Sequence, residues 1–231
     1  MPSTAIFDLD RTITRSPTWT PFLFYVHGLN PIFLFRFLLL ALYMIGYKLK
    51  LVSRDSVKKY GVQTLTTLDK ETLKNKADAF VASRIANGLR PGAVEAITFH
   101  RRRGDRLILA TAAVDMVANP LGLALGFDEV IATRLNWNTN ANALSPSLEG
   151  ANCYGLEKLR RVAEHRALRP FDEPVYAYSD HVSDLELLRN ADHGIAVNPS
   201  AGLRRAAHKY GIKIVDFDVA SYSTQTLEKN K

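Results

Sequence analysis

Only one of the 231 residues is a cysteine, Cys153. No internal disulfide can form and no Cys-x-x-Cys pair exists to hold zinc, which suits a reducing cytoplasm. Cys153 itself reads as a small buried residue, because no neighbour marks it as an activated thiol. The six histidines make no ligand pair at i, i+4, and His181 reads as a loop residue and not a ligand. Internal repeats and low-complexity linkers are absent, and only the stretch from about Ser221 reads as frayed. Crossing a bilayer takes about 20 predominantly apolar residues. Residues 32–47 offer sixteen, with Arg36 among them, so a transmembrane helix is not expected. The first fifteen residues carry acidic side chains and strand-like character, unlike a signal peptide. There is no nucleic-acid-binding motif and no basic helix with interleaved aromatics, so a nucleic-acid partner is not expected.

What is present is globular in composition, 47% hydrophobic and 23% charged, and long enough to bury a real core. A net charge of +7 favours an anionic partner, without choosing among nucleic acid, an anionic membrane surface and a phosphorylated substrate. Short, nearly continuous apolar runs recur at residues 5–7, 107–110, 175–178, 194–197 and 212–215, the pattern of strands buried on both faces of a parallel sheet. Helical stretches separate them. Residues 92–103 end in three arginines before Gly104, a helix C-terminus with favourable charge, and Leu156, Leu159, Val162 and Ala163 recur at helical spacing after Gly155. The alternation predicts an α/β fold with a doubly wound, Rossmann-like parallel sheet. Residues 18–88 break it: they lack β-like alternation, and residues 69–87 form an amphipathic helix that stops at Gly88. The chain therefore divides into a core, residues 1–17 and 89–231, and an inserted helical cap, residues 18–88.

Ligands of an open α/β sheet bind beyond the carboxyl ends of its strands. Asp8 and Asp10 follow the first expected strand, Thr111 the second, and Ser179, Asp180 and Asp184 the third, while Lys158 stands in the first turn of the helix that opens at Gly155. Crowded carboxylates repel, so Mg²⁺ between Asp8 and Asp180 would let them share a site, and hard oxygen ligands suit that ion. Thr111, Lys158 and free backbone N–H groups would hold phosphate, which points to phosphoryl transfer through an aspartyl phosphate.

The ordered series "FDLDRT", "LILATAA", "CYGLEKLRRV" and "YAYSDHVSDLELL" resembles the four motifs of the haloacid dehalogenase superfamily, and most of all its phosphoserine-phosphatase-like branch with a helical cap after the first motif. The resemblance covers residues 1–17 and 89 to about 217. It implies that Asp8 is the nucleophile and a metal ligand. Asp10 gives a backbone carbonyl to the metal while its side chain acts as general acid and then general base. It further implies that Thr111 and Lys158 bind the phosphoryl group, that Asp180 binds Mg²⁺, and that Asp184 supports the metal or Lys158. An acid/base aspartate at position 10 selects phosphomonoester hydrolysis within the superfamily. Two letters depart from the family pattern: Arg11 and Ser179 each stand where glycine is usual. Arg11 is either a solvent-facing turn residue or a second cation near the substrate phosphate.

Residues 30–52 are apolar on nearly every helical face, and six Lys or Arg stand between Arg36 and Lys59 against the single Asp55. An apolar helix flanked by cations is the form of a segment lying in the interface of an anionic membrane. The expected enzyme is thus a Mg²⁺-dependent phosphatase of a lipid-linked or amphiphilic phosphomonoester, peripheral at the inner face of the cell membrane. Similar hydrophobic caps occur in relatives resembling bacterial phosphatidylglycerophosphate phosphatases. The alternatives are a phosphatase of a small soluble metabolite such as phosphoserine and a non-catalytic module binding a membrane or a partner.

Overall fold

The computed structural model describes residues 2–28, 30–138 and 143–220. The expected fraying from about Ser221 lies outside the described residues. In chain order the elements begin with strand β1 (Thr4–Phe7) and four consecutive helices, α1 (Trp19–His27), α2 (Pro31–Lys48), α3 (Arg54–Leu65) and α4 (Lys70–Asn87). There follow α5 (Pro91–Arg102), β2 (Arg106–Val114), α6 (Asp115–Leu125), β3 (Glu129–Asn138), β4 (Ala143–Glu149) and α7 (Leu156–Leu168). The chain continues with β5 (Val175–Ser179), a 3₁₀ turn over Val182–Asp184, α8 (Leu185–Arg189), β6 (His193–Val197), α9 (Ala201–Tyr210) and β7 (Lys213–Val215).

Among the described residues seven strands form one sheet in the order β4-β3-β2-β1-β5-β6-β7. Every pairing is parallel except β3 with β4. This is the doubly wound α/β fold that the buried apolar runs predict. The chain builds outward from β1 through β2 and β3 on one side and through β5, β6 and β7 on the other. The order therefore reverses at β1 and β5, and the crevice beyond their carboxyl ends is where such sheets bind ligands.

The sheet departs from expectation in two places. Strands β3 and β4 go beyond the predicted set, because both are half-exposed and carry polar residues throughout, as "EVIATRLNWN" and "ALSPSLE" show. An edge pair needs no continuous apolar run. Thr111 does not follow its strand either: β2 runs through it to Val114, and the register with β3 shifts between Ala110 and Val114.

A buried polar clamp underlies β1. His100 of α5 lies 2.7 Å from Asp105 Oδ2 and 2.8 Å from the Tyr178 hydroxyl, while the Tyr178 ring stacks on Phe7 at 4.2 Å. Asp105 also accepts the Ser3 amide at 2.9 Å. Each polar group is satisfied, so the clamp fixes α5 against β1 and β5 without leaving an orphaned buried charge. Burial holds the His100 pKa below the usual imidazole value against the pull of Asp105.

The helices between β1 and α5 differ sharply in how they bury themselves. Helix α4 packs Leu73, Ala77, Phe80 and Val81 and is capped by the Asp69 side chain, which accepts the Thr72 amide. In α2, Phe33 and Leu40 are buried, whereas Ile32 (67% exposed), Phe35 (66%), Leu38 (60%) and Leu42 (57%) face solvent. Among the described residues no helix is long and apolar enough to cross a membrane.

Candidate active site

The first strand ends at Phe7, and the turn beyond it is tightly wound: the amides of Ile13 and Thr14 both donate to the Leu9 carbonyl, at 2.9 and 3.0 Å. That winding brings Asp8, Asp10 and Arg11 to one cavity of about 270 Å³, which Thr111, Lys158, Asp180 and Asp184 also line. Every residue singled out in the sequence for chemistry therefore meets at the reversal point of the sheet.

Lys158 organises the floor. It sits in the first turn of α7 because Gly155 precedes the helix at φ +58° and ψ −126°, a conformation open to a residue without Cβ. Its buried Nζ donates to Asp8 Oδ1 at 2.7 Å and to Asp184 Oδ2 at 2.6 Å. Burial alone would lower the lysine pKa, but Asp184 and Asp8 outweigh it and raise the pKa above the usual value.

The carboxylates respond in the opposite sense. Asp8 is pushed up to about 7 by burial; Lys158 lowers it, and repulsion from Asp184 and Asp180 adds to the rise. Asp180 is raised to about 6, again chiefly by burial and then by Asp184, with Lys158 and Arg11 opposing. Asp10 is also raised by burial, against hydrogen bonds from Thr18, whose amide donates to Asp10 Oδ1 at 2.8 Å. The Asp10 carboxyl thus stands where the core turn enters α1.

Three carboxylates stand against one buried lysine here: Lys158 touches Asp8 and Asp184, and among the described residues Asp180 makes no ion pair. Among the described residues no three His, Cys, Asp or Glu side chains form a metal-holding group by themselves. Asp8 and Asp180 supply two hard anionic oxygen donors whose charge the protein leaves in excess, a donor set that fits a small divalent cation completed by main-chain oxygen and water.

Several supporting residues carry no signal in the sequence reading. The Thr12 hydroxyl donates to Asp8 Oδ2 at 3.3 Å and accepts the Asp180 amide at 3.0 Å, tying the ends of β1 and β5 together. It lies inside the first motif, where its type reads as ordinary turn material. Ser179, expected after the third strand and as a departure from glycine but given no role, donates to Asp184 Oδ2 at 2.8 Å and so orients the partner of Lys158. Lys58, from α3, reaches down to donate to the Ala112 carbonyl and to Asn152 Oδ1, the latter at 3.0 Å. The buried lysine pins the helices to the strand beside Thr111, whose own hydroxyl accepts the Ala113 amide at 3.0 Å. His181 lies on the cavity wall, where its Nδ1 accepts the Ser183 amide at 3.2 Å. Cys153 is buried, with its thiol pKa raised by burial, in keeping with a packing residue.

The chain matches the family model of the haloacid dehalogenase-like hydrolases over residues 5–189. It is 31% identical over 192 residues to Protein CicA of Caulobacter vibrioides, covering 83% of this chain and 84% of that protein. A crystal structure of a protein of unknown function from Bordetella pertussis superposes with a TM-score of 0.84 at 25% identity, over 94% of this chain and 99% of that one. A substrate-bound phosphoserine phosphatase shares the fold at a TM-score of 0.66 and 16% identity, over 99% and 98% of the two chains.

Proposed function

The chain belongs to the haloacid dehalogenase-like hydrolases, and from that premise we propose that it is a Mg²⁺-dependent phosphomonoester hydrolase working through an aspartyl phosphate on Asp8. The observation that carries this reading is the Lys158 bridge, which holds Asp8 and Asp184 at 2.7 and 2.6 Å on the floor of the cavity that Asp10 and Thr111 also line.

In the first half-reaction an Asp8 oxygen attacks phosphorus and the bond from phosphorus to the leaving alcohol breaks. Asp10 gives its proton to the leaving oxygen. In the second, Asp10 takes a proton from water as that water attacks the phosphoryl group. The bond to Asp8 breaks, phosphate departs, and both carboxyls return to their starting states. An aspartate that serves as acid and then base needs a pKa raised toward neutrality, and burial shifts Asp10 in that direction. Lys158 neutralises phosphoryl charge while fixing Asp8, Thr111 donates its hydroxyl to a phosphoryl oxygen, and Asp184 holds Lys158 in place. Asp8, Asp180 and the Asp10 main-chain carbonyl would hold Mg²⁺, which when bound supplies charge neutralisation for the approach of the carboxylate to the phosphate.

The substrate in this reading is a lipid-linked or amphiphilic phosphomonoester such as phosphatidylglycerophosphate, met by a cap formed from residues 18–88 at the inner face of the cell membrane. Support comes from α2, where a narrow stripe including Phe33 and Leu40 is packed and the remaining apolar surface is open, with Lys50 and Lys59 exposed nearby. A cavity of about 270 Å³ favours a second reading, a small soluble metabolite such as phosphoserine, because it suits a headgroup and not a whole lipid. A phosphate-release screen over lipid and soluble phosphomonoesters with Mg²⁺, run beside Asp8→Asn, tests both. Turnover confined to amphiphilic substrates and lost in the variant is the expected result. Turnover that survives Asp8→Asn overturns the aspartyl-phosphate mechanism, and a preference for soluble substrates overturns the lipid assignment.

A further inference from the structure

Arg11 is held in a conformation its side chain does not favour. Its φ is +65°, in the left-handed region that L residues other than glycine, asparagine and aspartate seldom occupy. The surroundings impose it: the Arg11 amide donates to Thr14 Oγ1 at 3.4 Å, and its carbonyl accepts from Arg90 Nε at 3.0 Å. Arg90 is itself fixed by an ion pair to Asp218, which also takes Arg15 at 2.9 Å. The Arg11 side chain is exposed and lines the cavity. Strain in a residue that lines a candidate site is an observation from which function is inferred.

The guanidinium is held by no ion pair among the described residues, although its charge acts on Asp180. Arg15 and Arg90 are both spent on Asp218, and Lys158 is spent on Asp8 and Asp184. Arg11 lines the same cavity as four aspartates, yet its guanidinium makes no hydrogen bond or ion pair among the described residues. It directly follows Asp10, the residue that serves the leaving oxygen, and stands exposed while Thr111 and Lys158 are buried on the floor. On the phosphomonoester reading, Thr111 and Lys158 would meet the phosphoryl group from the floor of the cavity and the leaving alcohol would lie toward Asp10 and Arg11.

We infer that Arg11 is a subsite for a second anionic group, carried on the leaving alcohol of the phosphomonoester. This rests on the phosphomonoester reading of the cavity and names the substrate class within it. A carboxylate on a small metabolite and a phosphodiester in a lipid headgroup present the same chemistry to a guanidinium, two acceptor oxygens sharing one negative charge.

The test is equilibrium binding to the full chain carrying Asp8→Asn, which holds ligand without turnover, with and without Arg11→Gly. Two ligand pairs separate the sources: 3-phosphoglycerate against glycerol 3-phosphate, and short-chain phosphatidylglycerophosphate against short-chain phosphatidic acid. In at least one pair the member with the second anion binds about tenfold tighter or more, as a charge-assisted contact requires, and Arg11→Gly brings the two affinities within about twofold. The responding pair identifies the source. Equal affinities within both pairs, or a preference that Arg11→Gly leaves intact, overturns the subsite. Because binding is read without turnover, failure of the hydrolase reading shows separately, as absent phosphate release from the parent chain on every phosphomonoester.

Discussion

The crevice at β1 and β5 and the outer face of α2 break the ordinary distribution of residues in opposite directions. The crevice buries charge: Asp8, Asp180, Asp184 and Lys158 are all nearly inaccessible. Helix α2 exposes apolar surface, with Ile32, Phe35, Leu38, Leu42 and Ile45 all open to solvent. Buried carboxylates cost stability unless they are paired, and exposed apolar patches cost solubility unless they are covered. The two regions teach the same lesson from opposite sides, because in each the residues are better suited to a ligand than to the folded chain alone.

The sharpest way to break the comparison is at the nucleophile. Asp8→Asn keeps the volume and removes the attacking charge, so phosphate release is expected to fall at least about 10³-fold while the circular dichroism spectrum stays native. A comparably large loss on the α2 side requires a different assay. Phe35→Glu together with Leu38→Glu is expected to lower partition onto vesicles of anionic lipid about 10³-fold in co-sedimentation, since each side chain contributes about 2 kcal/mol when buried. The same pair of substitutions is expected to leave hydrolysis of a water-soluble phosphomonoester at the parent rate. Equal recovery of the parent chain in the supernatant with and without vesicles would sink membrane docking altogether.

Next in size is a pH effect that α2 does not share. Asp8 titrates near 7 in the folded chain and near 3.8 when unfolded, and Asp180 near 6 against 3.8. Between those limits the folded chain holds more protons than the unfolded one. The stability these groups lend is present below about pH 4 and is lost as pH rises through their folded values. The metal-free protein is thus expected to lose about 3 to 4 kcal/mol between pH 5 and 7, read as a falling midpoint in thermal unfolding with chelator present. Asp8→Asn flattens that slope. Added Mg²⁺ reverses it, because a cation binds the ionised carboxylates and so the folded state. A chelated parent whose midpoint rises from pH 5 to 7 would contradict the buried-carboxylate account.

How much of this was legible in the sequence depended on the kind of signal. Strands β1, β2, β5 and β6 announce themselves because strands buried in the middle of the sheet must be nearly continuously apolar. Strand β7 does so through Ile214 and Val215 although it is a half-buried edge strand, whereas β3 and the edge strand β4 mix polar residues into their pattern. Asp8, Asp10, Thr111, Lys158, Asp180 and Asp184 can be picked out because each stands near a strand end or a helix start and all carry reactive side chains. Thr12 and Lys58 could not be, because their value lies in partners distant along the chain. Thr12 joins positions 8 and 180, and Lys58 of α3 reaches Asn152. Spacing within a motif carries no information about such contacts. Arg11 was visible as a departure from a family pattern and Ser179 both as a departure and as a polar residue after a strand, and the structure separates the two. The Ser179 hydroxyl is committed to Asp184, while the Arg11 guanidinium makes no ion pair among the described residues and acts on Asp180 through its charge.

The smallest expected effect is therefore the one that tests whether Arg11 belongs with the crevice or with ordinary turn structure. A turn residue chosen for the fold would be optimal for it, and replacing it would cost stability. At φ +65° the opposite sign holds: glycine occupies that region freely, so Arg11→Gly relieves about 1 kcal/mol of backbone strain. Part of that gain is returned because glycine enlarges the entropy of the unfolded chain. The net expectation is a rise of about 2 °C in the unfolding midpoint at pH 7, small but of definite sign. Arg11→Ala keeps a Cβ in the same backbone conformation and loses the guanidinium, so it should gain nothing. A midpoint that rises for glycine and not for alanine locates the strain in the backbone, and leaves ligand recognition as the reason for a side chain at that position. A fall for glycine would mean that the turn, and not the site, requires arginine.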